Sequence, residues 1–389
     1  MSKFSSIFSQ LLSLFSKNDF HGAVKETNAE RHARGFSSWD QFVAMVFCQL
    51  GRAHSLREIS GGLQTCLGKL RHVGMEKAPS HSTLAYANEH RPYELYERVF
   101  FQFFGRCSRE AVQKGHKFRF KNKLLSLDAT VIDVCLSMYN WARFRRAKGA
   151  IKLHLLLDHD GYLPNFAVIT EGKTHEITIA KKLIFAPGTM LVFDKGYVDY
   201  LFWGRLCHDG VFFITRMKSN AVYKVVEERD VPKNRHVLSD CVIRLTGVDA
   251  RDTCPFLLRR LEIWDPEEEK LLVFVTNNLK LGATTIAAVY KDRWQIEIFF
   301  KALKQNLKIK TFVGTTANAV KTQIWTALIA MLLLKYLKLR STFGWSLSNL
   351  IALLRMNLFT YRDLWSWLDA PFGIPVVEPA AVQLELKLK

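Results

Sequence analysis

The spacing of apolar residues changes character twice along this chain, and that constrains the fold more than any other feature. Up to about residue 117 the spacing is helical. In "SSWDQFVAMVFCQL", Trp39, Phe42, Val43, Val46, Phe47 and Leu50 recur on one helix face. Ser38 followed by Gln41 fits a capping box, and Ser55 with Glu58 fits a second. Pro79 then breaks the chain ahead of Ser80 or Ser82, either of which can cap another helix. After "KFRFKNK" the pattern turns to strands: "LLSLDAT", "AIKLHLLLD", "YLPNFAVIT", "TMLVFD" and "VFFIT". Broken β-like runs fill residues 216 to about 280, and helical spacing returns over about 284–308 and 317–339. A strand-rich middle between helical ends implies a layered α/β or α+β architecture.

Charge narrows the partner. The 389 residues carry 55 Lys and Arg against 36 Asp and Glu, a formal net charge of +19. An excess of this size favours a polyanion, with nucleic acid ahead of an anionic membrane. The apolar run "IWTALIAMLLLKYL" is cut by Lys335 and falls short of the ~20 residues of a spanning helix, so it reads as a buried core helix. The N-terminal "MSKFSSIFSQLLSLFSK" lacks a signal peptide's long apolar stretch and small-residue cleavage site. The seven cysteines are scattered and contain no C-x-x-C, which argues for a reducing cytoplasm without a disulfide frame or zinc site.

Asp128 and Asp194 each close an apolar strand run. A carboxylate there stands half out of a core and needs a cation, a proton or a hydrogen-bond network. Oxygen donors of this kind suit Mg²⁺ or Mn²⁺. His175-Glu176 is instead read as a surface helix start. The third element is the helical stretch "VYKDRWQIEIFFKALKQNLK". At about 100° per residue, Tyr290, Arg293, Glu297 and Lys304 point near 0°, 300°, 340° and 320°, one narrow stripe. It borders the apolar face of Val289, Ile296, Phe300, Leu303 and Leu307. Lys301 and Lys308 extend the basic track on the same angular count. Taken alone, the stripe fits a row of helix ion pairs as well as an active-site wall.

With the strands added, the residues resemble a family. The Y-x2-R-x3-E-x6-K pattern at Tyr290, Arg293, Glu297 and Lys304 is similar to the signature of the insertion-sequence-four family of bacterial DDE transposases. "LSLDATVID" resembles that family's first-aspartate strand at Asp128, and "LVFDKGYVD" its second-aspartate segment at Asp194. The 103-residue step from Asp194 to Glu297 resembles the family's β-rich insertion, about 216–280, ahead of the glutamate helix. "FSSWDQF" and "PSHSTLAYANEHR" resemble the N-terminal region of one branch.

The resemblance implies an RNase H-like α/β catalytic core over 118–389 and an all-α DNA-binding domain over 1–117. It implies cut-and-paste transposition: binding of terminal inverted repeats, hydrolysis at the element's ends, and joining of the freed 3′ hydroxyl to target DNA. Two divalent cations, Mg²⁺ or Mn²⁺, would lie between Asp128, Asp194 and Glu297. Tyr290, Arg293 and Lys304 would hold DNA phosphates, with Arg216 and Lys218 of "TRMKSN" and the basic loop 143–148 as further contacts. A synaptic homodimer and a hairpin intermediate are implied as well. Trp264 is a loose positional match for the family's base-holding tryptophan. Two other readings stay open: a catalytically silent DNA-binding relative, and an RNase H-like nuclease that cuts without joining.

Overall fold

The computed structural model describes residues 5–373 apart from 32, 67, 116, 136–138, 140, 146–147, 232 and 234–235. The first third is helical: α1 (Ile7–Leu12), α2 (Lys17–Glu26), α3 (Ser38–Gly51), α4 (Leu56–Gln64), α5 (His81–His90) and α6 (Glu94–Gln113). The α3 cap is one residue earlier than the sequence suggests. Ser37 Oγ accepts from Asp40 N–H, Asp40 accepts from Ser37 N–H in return, and Ser38 is already inside the helix and buried. Ser55 caps α4 and Ser80 caps α5.

Next come β1 (Leu124–Val134), β2 (Arg143–Arg145), β3 (Lys148–Asp158), β4 (Leu163–Glu171), α7 (Glu176–Ala180), β5 (Met190–Phe193), α8 (Tyr200–His208) and β6 (Phe212–Arg216). The β-rich stretch holds β7 (Tyr223–Glu228), β8 (Val237–Leu245), α9 (Val248–Thr253), β9 (Leu257–Asp265) and β10 (Lys270–Thr276). Helices close the chain: α10 (Ala283–Asp292), α11 (Trp294–Asn306), α12 (Ala317–Arg340), α13 (Leu347–Asn357) and α14 (Leu364–Asp369).

Among the described residues the strands form one ten-stranded sheet, ordered β2-β3-β1-β5-β6-β10-β9-β8-β7, with β4 also on β3. β1, β5 and β6 run parallel, and β3 and β4 are antiparallel additions on the β1 side. That central arrangement is the RNase H-like one. The β-rich stretch does not make a separate sheet. β10 pairs antiparallel with β6, and β9, β8 and β7 continue outward from it.

The basic loop at 143–148 falls on β2 and its turn; Arg143–Arg145 form the strand, and 146–147 lie outside the described residues.

The break at 117 marks the change from helix to strand, but the core runs across it. α12 is apolar all round, so burial is its stable state, and 83% of its most apolar stretch is buried. It packs against α3, α5 and α6. Phe100 meets Trp325 at 5.2 Å between ring centroids, Tyr93 N–H donates to Asn318 Oδ1 at 3.2 Å, and Gln49 Oε1 accepts from Lys308 N–H at 2.8 Å. One hydrophobic cluster holds residues from Ile7 to Leu368. Residues 1–117 expressed alone are therefore expected to lose most of their helical circular dichroism and to aggregate, because the α12 face of α3 and α6 would be bare. A soluble, cooperatively melting fragment would show that α12 is dispensable to those helices.

Candidate active site

Strand register creates the site. β1 and β5 run parallel, with Leu124–Leu127 facing Met190–Phe193. β5 is four buried apolar residues and stops at Phe193. Asp194 follows directly, level with Asp128 on the neighbouring strand. Asp128 does not end its strand. β1 runs on to Val134, paired only with β3, so Asp128 marks where β5 leaves and β1's side becomes free. Burial falls at the same point, from four buried residues to half-buried ones.

Asp194 caps the short 3₁₀ turn Lys195–Tyr197, its Oδ1 accepting from Gly196 N–H at 2.8 Å. Its backbone carbonyl accepts from Thr215 Oγ1 on β6 at 3.1 Å. A side chain at 196 would be crowded: a Cβ there would stand 3.0 Å from Asp194 Oδ1 and 3.4 Å from Glu176 Oε2, so both carboxylates would have to give way by a few tenths of an ångström.

The stripe is made by two helices, not one. α10 ends at Asp292 and α11 begins at Trp294, with Arg293 between them. The turn tightens there: Arg293 N–H donates to Tyr290 O and Ile296 N–H to Arg293 O. Tyr290, Arg293, Glu297 and Lys304 still share a side. Arg293 Nη2 donates to Glu297 Oε1 at 2.8 Å, and Nη1 lies 3.8 Å from Asp128 Oδ2. The guanidinium also stands over the Tyr290 ring at 5.4 Å. Lys304 Nζ donates to Val131 O at 2.7 Å, three residues beyond Asp128.

The other expected contacts scatter. Lys301 is exposed on α11. Lys308 lies past the helix end at Asn306, so the angular count does not reach it; its side chain is buried, with Nζ 2.6 Å from His54 Nδ1. Arg216 ends β6, half-buried and close enough to influence Tyr290, while Lys218 is exposed in the following loop. Trp264 is on β9, two strands beyond β6, and partly exposed. Glu176 opens α7 behind exposed His175, the surface helix start expected of this pair, and it also faces the site. It stands beside Gly196 and pairs with Lys152 Nζ at 3.3 Å. Tyr197 is also in place unforeseen: fully buried, its hydroxyl without a protein partner, its surroundings set by Asp128, Glu176, Asp194 and Arg293. The only sequence hint was its place in "DKGY".

Positive charge is scarce here. Burial, with the Asp194 and Glu297 charges adding to it, pushes the Asp128 carboxyl up to about 7, against the pull of Arg293 and the Ala129 N–H. A shortage of cation among hard oxygen donors is the chemistry a divalent metal would satisfy. In this conformation, among the described residues, no three acidic, His or Cys side chains stand close enough together to share one ion. Glu297 is turned to Arg293 instead.

Residues 119–333, more than half of the chain, match the transposase DDE domain. This chain belongs to the DDE transposases. A Sinorhizobium fredii protein named as a transposase is 31% identical over 291 residues, covering 74% of this chain and 80% of that one. A Geobacillus stearothermophilus protein named as a transposase for an insertion sequence element is 29% identical over 259 residues, covering 66% and 67%. Residues 3–76 match a domain of unknown function, DUF4372. The piggyBac transposase synaptic complex with hairpin DNA overlays 95% of this chain and 82% of that one at a TM-score of 0.42 and 11% identity. The protein is thus a DNA transposase with an RNase H-like core, and its family's chemistry depends on divalent metal.

Proposed function

We propose that this DDE transposase is of the insertion-sequence-four type, a cut-and-paste enzyme in which Asp128, Asp194 and Glu297 are the acidic triad. The observation that carries this reading is the level pairing of Asp128 with Asp194, together with the salt bridge that draws Glu297 to the same spot through Arg293. These three carboxylates would hold the divalent cations, two if the resemblance holds in full. When bound, such ions neutralise phosphate charge and activate a water or a 3′ hydroxyl.

The chain's own groups have distinct tasks. For Glu297 to serve as a metal ligand Arg293 would have to let it go, and the guanidinium fork would then be free to hold a DNA phosphate. Lys304 on the β1 side and Tyr290 on the β6–β10 side would flank that phosphate. Arg216, Lys218 and Lys301 stand farther out and would follow the DNA backbone. Of the N-terminal helices, α4 and α5 expose side chains and would read the terminal repeats, with the buried α3 as their support, and a homodimer would bring two ends together.

The test is incubation of the full chain with its flanking DNA and metal, mapping each strand's products. Nicks at the element's end, followed by joined products, support the reading. Cutting without joining points to a nuclease, and binding without cutting to a silent relative. Mg²⁺ or Mn²⁺ is expected to support cleavage, and a zinc-selective chelator to leave it unchanged, since the donors are hard oxygens. Cleavage that persists after all Mg²⁺ and Mn²⁺ are removed would rule the metal scheme out.

A further inference from the structure

A buried polar chain ties the helix junction beside Glu297 to the strand that carries Asp128. Asp292 is the last residue of α10, next to Arg293, and its side chain is only 2% exposed. Its carboxylate is fully engaged. His159 Nδ1 lies 2.6 Å from Oδ2, the Tyr162 hydroxyl 3.2 Å from each oxygen, and the Lys117 ammonium closes on Oδ1. On the other side of the imidazole, Nε2 is 2.7 Å from Ser126 Oγ. Ser126 is fully buried on β1. It precedes Asp128 by two residues, so both side chains leave the same face of the strand.

The chain tolerates either state of His159. Neutral imidazole donates from Nδ1 to Asp292 and accepts the Ser126 hydroxyl; imidazolium donates on both sides and the hydroxyl turns round. Burial favours the neutral acid at Asp292, but the hydrogen bonds from His159 and Lys117 outweigh it and hold this carboxyl below its usual range. Ser, His and Asp in a row suggest a nucleophile relay. With Ser126 fully buried inside the sheet, no substrate reaches its hydroxyl, so the chain's effect is mechanical.

Two further features show why stiffness matters here. Tyr162 sits at φ +53, a left-handed conformation that bulky residues seldom adopt. The tight β3–β4 turn thus bears local strain while it presents His159 and Tyr162 to one carboxylate. The α10–α11 junction, in turn, is where the helix is interrupted, so the orientation of α11 is not fixed by a continuous ladder of backbone bonds alone.

We propose that Asp292, His159 and Ser126 are positioning residues of the transposase site, pinning the Arg293 junction, and with it Glu297, at a set height against Asp128. This rests on the triad reading above. A misplacement of about 1 Å at a reacting centre can cost about 100-fold in rate.

The test compares full-length Asp292→Asn, His159→Gln and Ser126→Ala with Asp240→Asn. The last breaks an equally buried pair, Asp240 with Arg259 at 2.6 Å, far along the sheet on β8. Four quantities are read: melting temperature, affinity for end DNA, cleavage rate at saturating DNA, and the Mn²⁺ concentration giving half that rate. For Asp292→Asn and His159→Gln, well below their melting temperatures, we expect cleavage to fall about 10–100-fold, DNA affinity to stay within about two-fold and the Mn²⁺ requirement to rise. Ser126→Ala, which loses one hydrogen bond, should show the same pattern more weakly and serves if the others fail to fold. Asp240→Asn should lose melting temperature alone. Rates that fall only as far as melting does, as in Asp240→Asn, would overturn the proposal. Glu297→Gln is run beside them: normal cleavage by that variant would overturn the triad reading itself, whereas its inactivity beside an unimpaired Asp292→Asn would overturn only the positioning role.

Discussion

Asp128→Asn, Asp194→Asn and Glu297→Gln are each expected to lower strand cleavage by about 10³-fold or more while DNA binding stays near normal. Each exchange keeps shape and removes one negative oxygen donor. DNA affinity should survive because the basic surface that supplies it is untouched. Cleavage within a few-fold of wild type for any one of the three would remove that residue from the triad. The three should not be additive: with one ligand gone the ions are misplaced, and a second loss has little left to remove.

Asp128→Asn carries a second, opposite expectation for stability. The Asp128 carboxyl is pushed up to about 7, above the ~3.9 of an unfolded chain. This raised acid favours the folded state only while it holds its proton. Ionising it costs stability progressively as pH rises from about 4 to about 7, and the full cost is present above that. One unit is worth about 1.4 kcal/mol, so the cost in metal-free protein is about 2–4 kcal/mol at pH 8. Asp128→Asn should therefore melt higher than wild type at pH 8, with the gap shrinking toward pH 5. Divalent metal should close the gap at pH 8 by stabilising wild type alone. A gap independent of pH would mean that Asp128 is not held among uncompensated charges.

The strand and helix order was legible because its signals are local, and the three acids stood out as candidates on local signals that only the family resemblance joined into one site. A short apolar run ending in an acid marks Asp194 without any tertiary knowledge, and the i, i+3, i+7 stripe marks Arg293 and Glu297. What escaped depends on distant contacts. Nothing in "VYKDRWQIE" breaks a helix, since it holds no Gly or Pro; the interruption at Arg293 comes where Asp292 is held by a histidine 133 residues away. Asp128 reads as a strand end because polarity rises there, yet β3 carries the strand on to Val134. Lys308 looked like part of the stripe only while the helix was extended past Asn306. The all-helical first third suggests an independent domain, but its missing core residues lie on α12, about 200 positions downstream.

Arg293→Ala separates an active-site wall from an ordinary helix pair. A solvent-exposed Arg–Glu pair at i, i+4 contributes only about 0.3–0.5 kcal/mol. Here the Arg293 side chain is 11% exposed and faces Asp128 as well as Glu297. Its loss leaves carboxylates facing one another with no cation between them, so the metal-free protein should lose about 1–3 kcal/mol. Millimolar Mg²⁺ should restore much of that, because the ion replaces the missing charge. Catalysis should not recover with it. If the guanidinium takes a phosphate once metal has claimed Glu297, Arg293→Ala stays defective in the steps after first nicking. Arg293→Lys then recovers part of the activity, since a point charge attracts the phosphate but cannot hold it by two parallel hydrogen bonds. Lys304→Ala should show a milder defect that deepens as salt rises, because DNA binding is already weakened there by counterions. The measurement is a time course of nicked, hairpin and joined products for each variant, beside its melting curve with and without Mg²⁺. Normal product kinetics in Arg293→Ala, with a melting loss that Mg²⁺ repairs, would confine Arg293 to balancing charge in the empty site and leave phosphate binding to Lys304 and Tyr290.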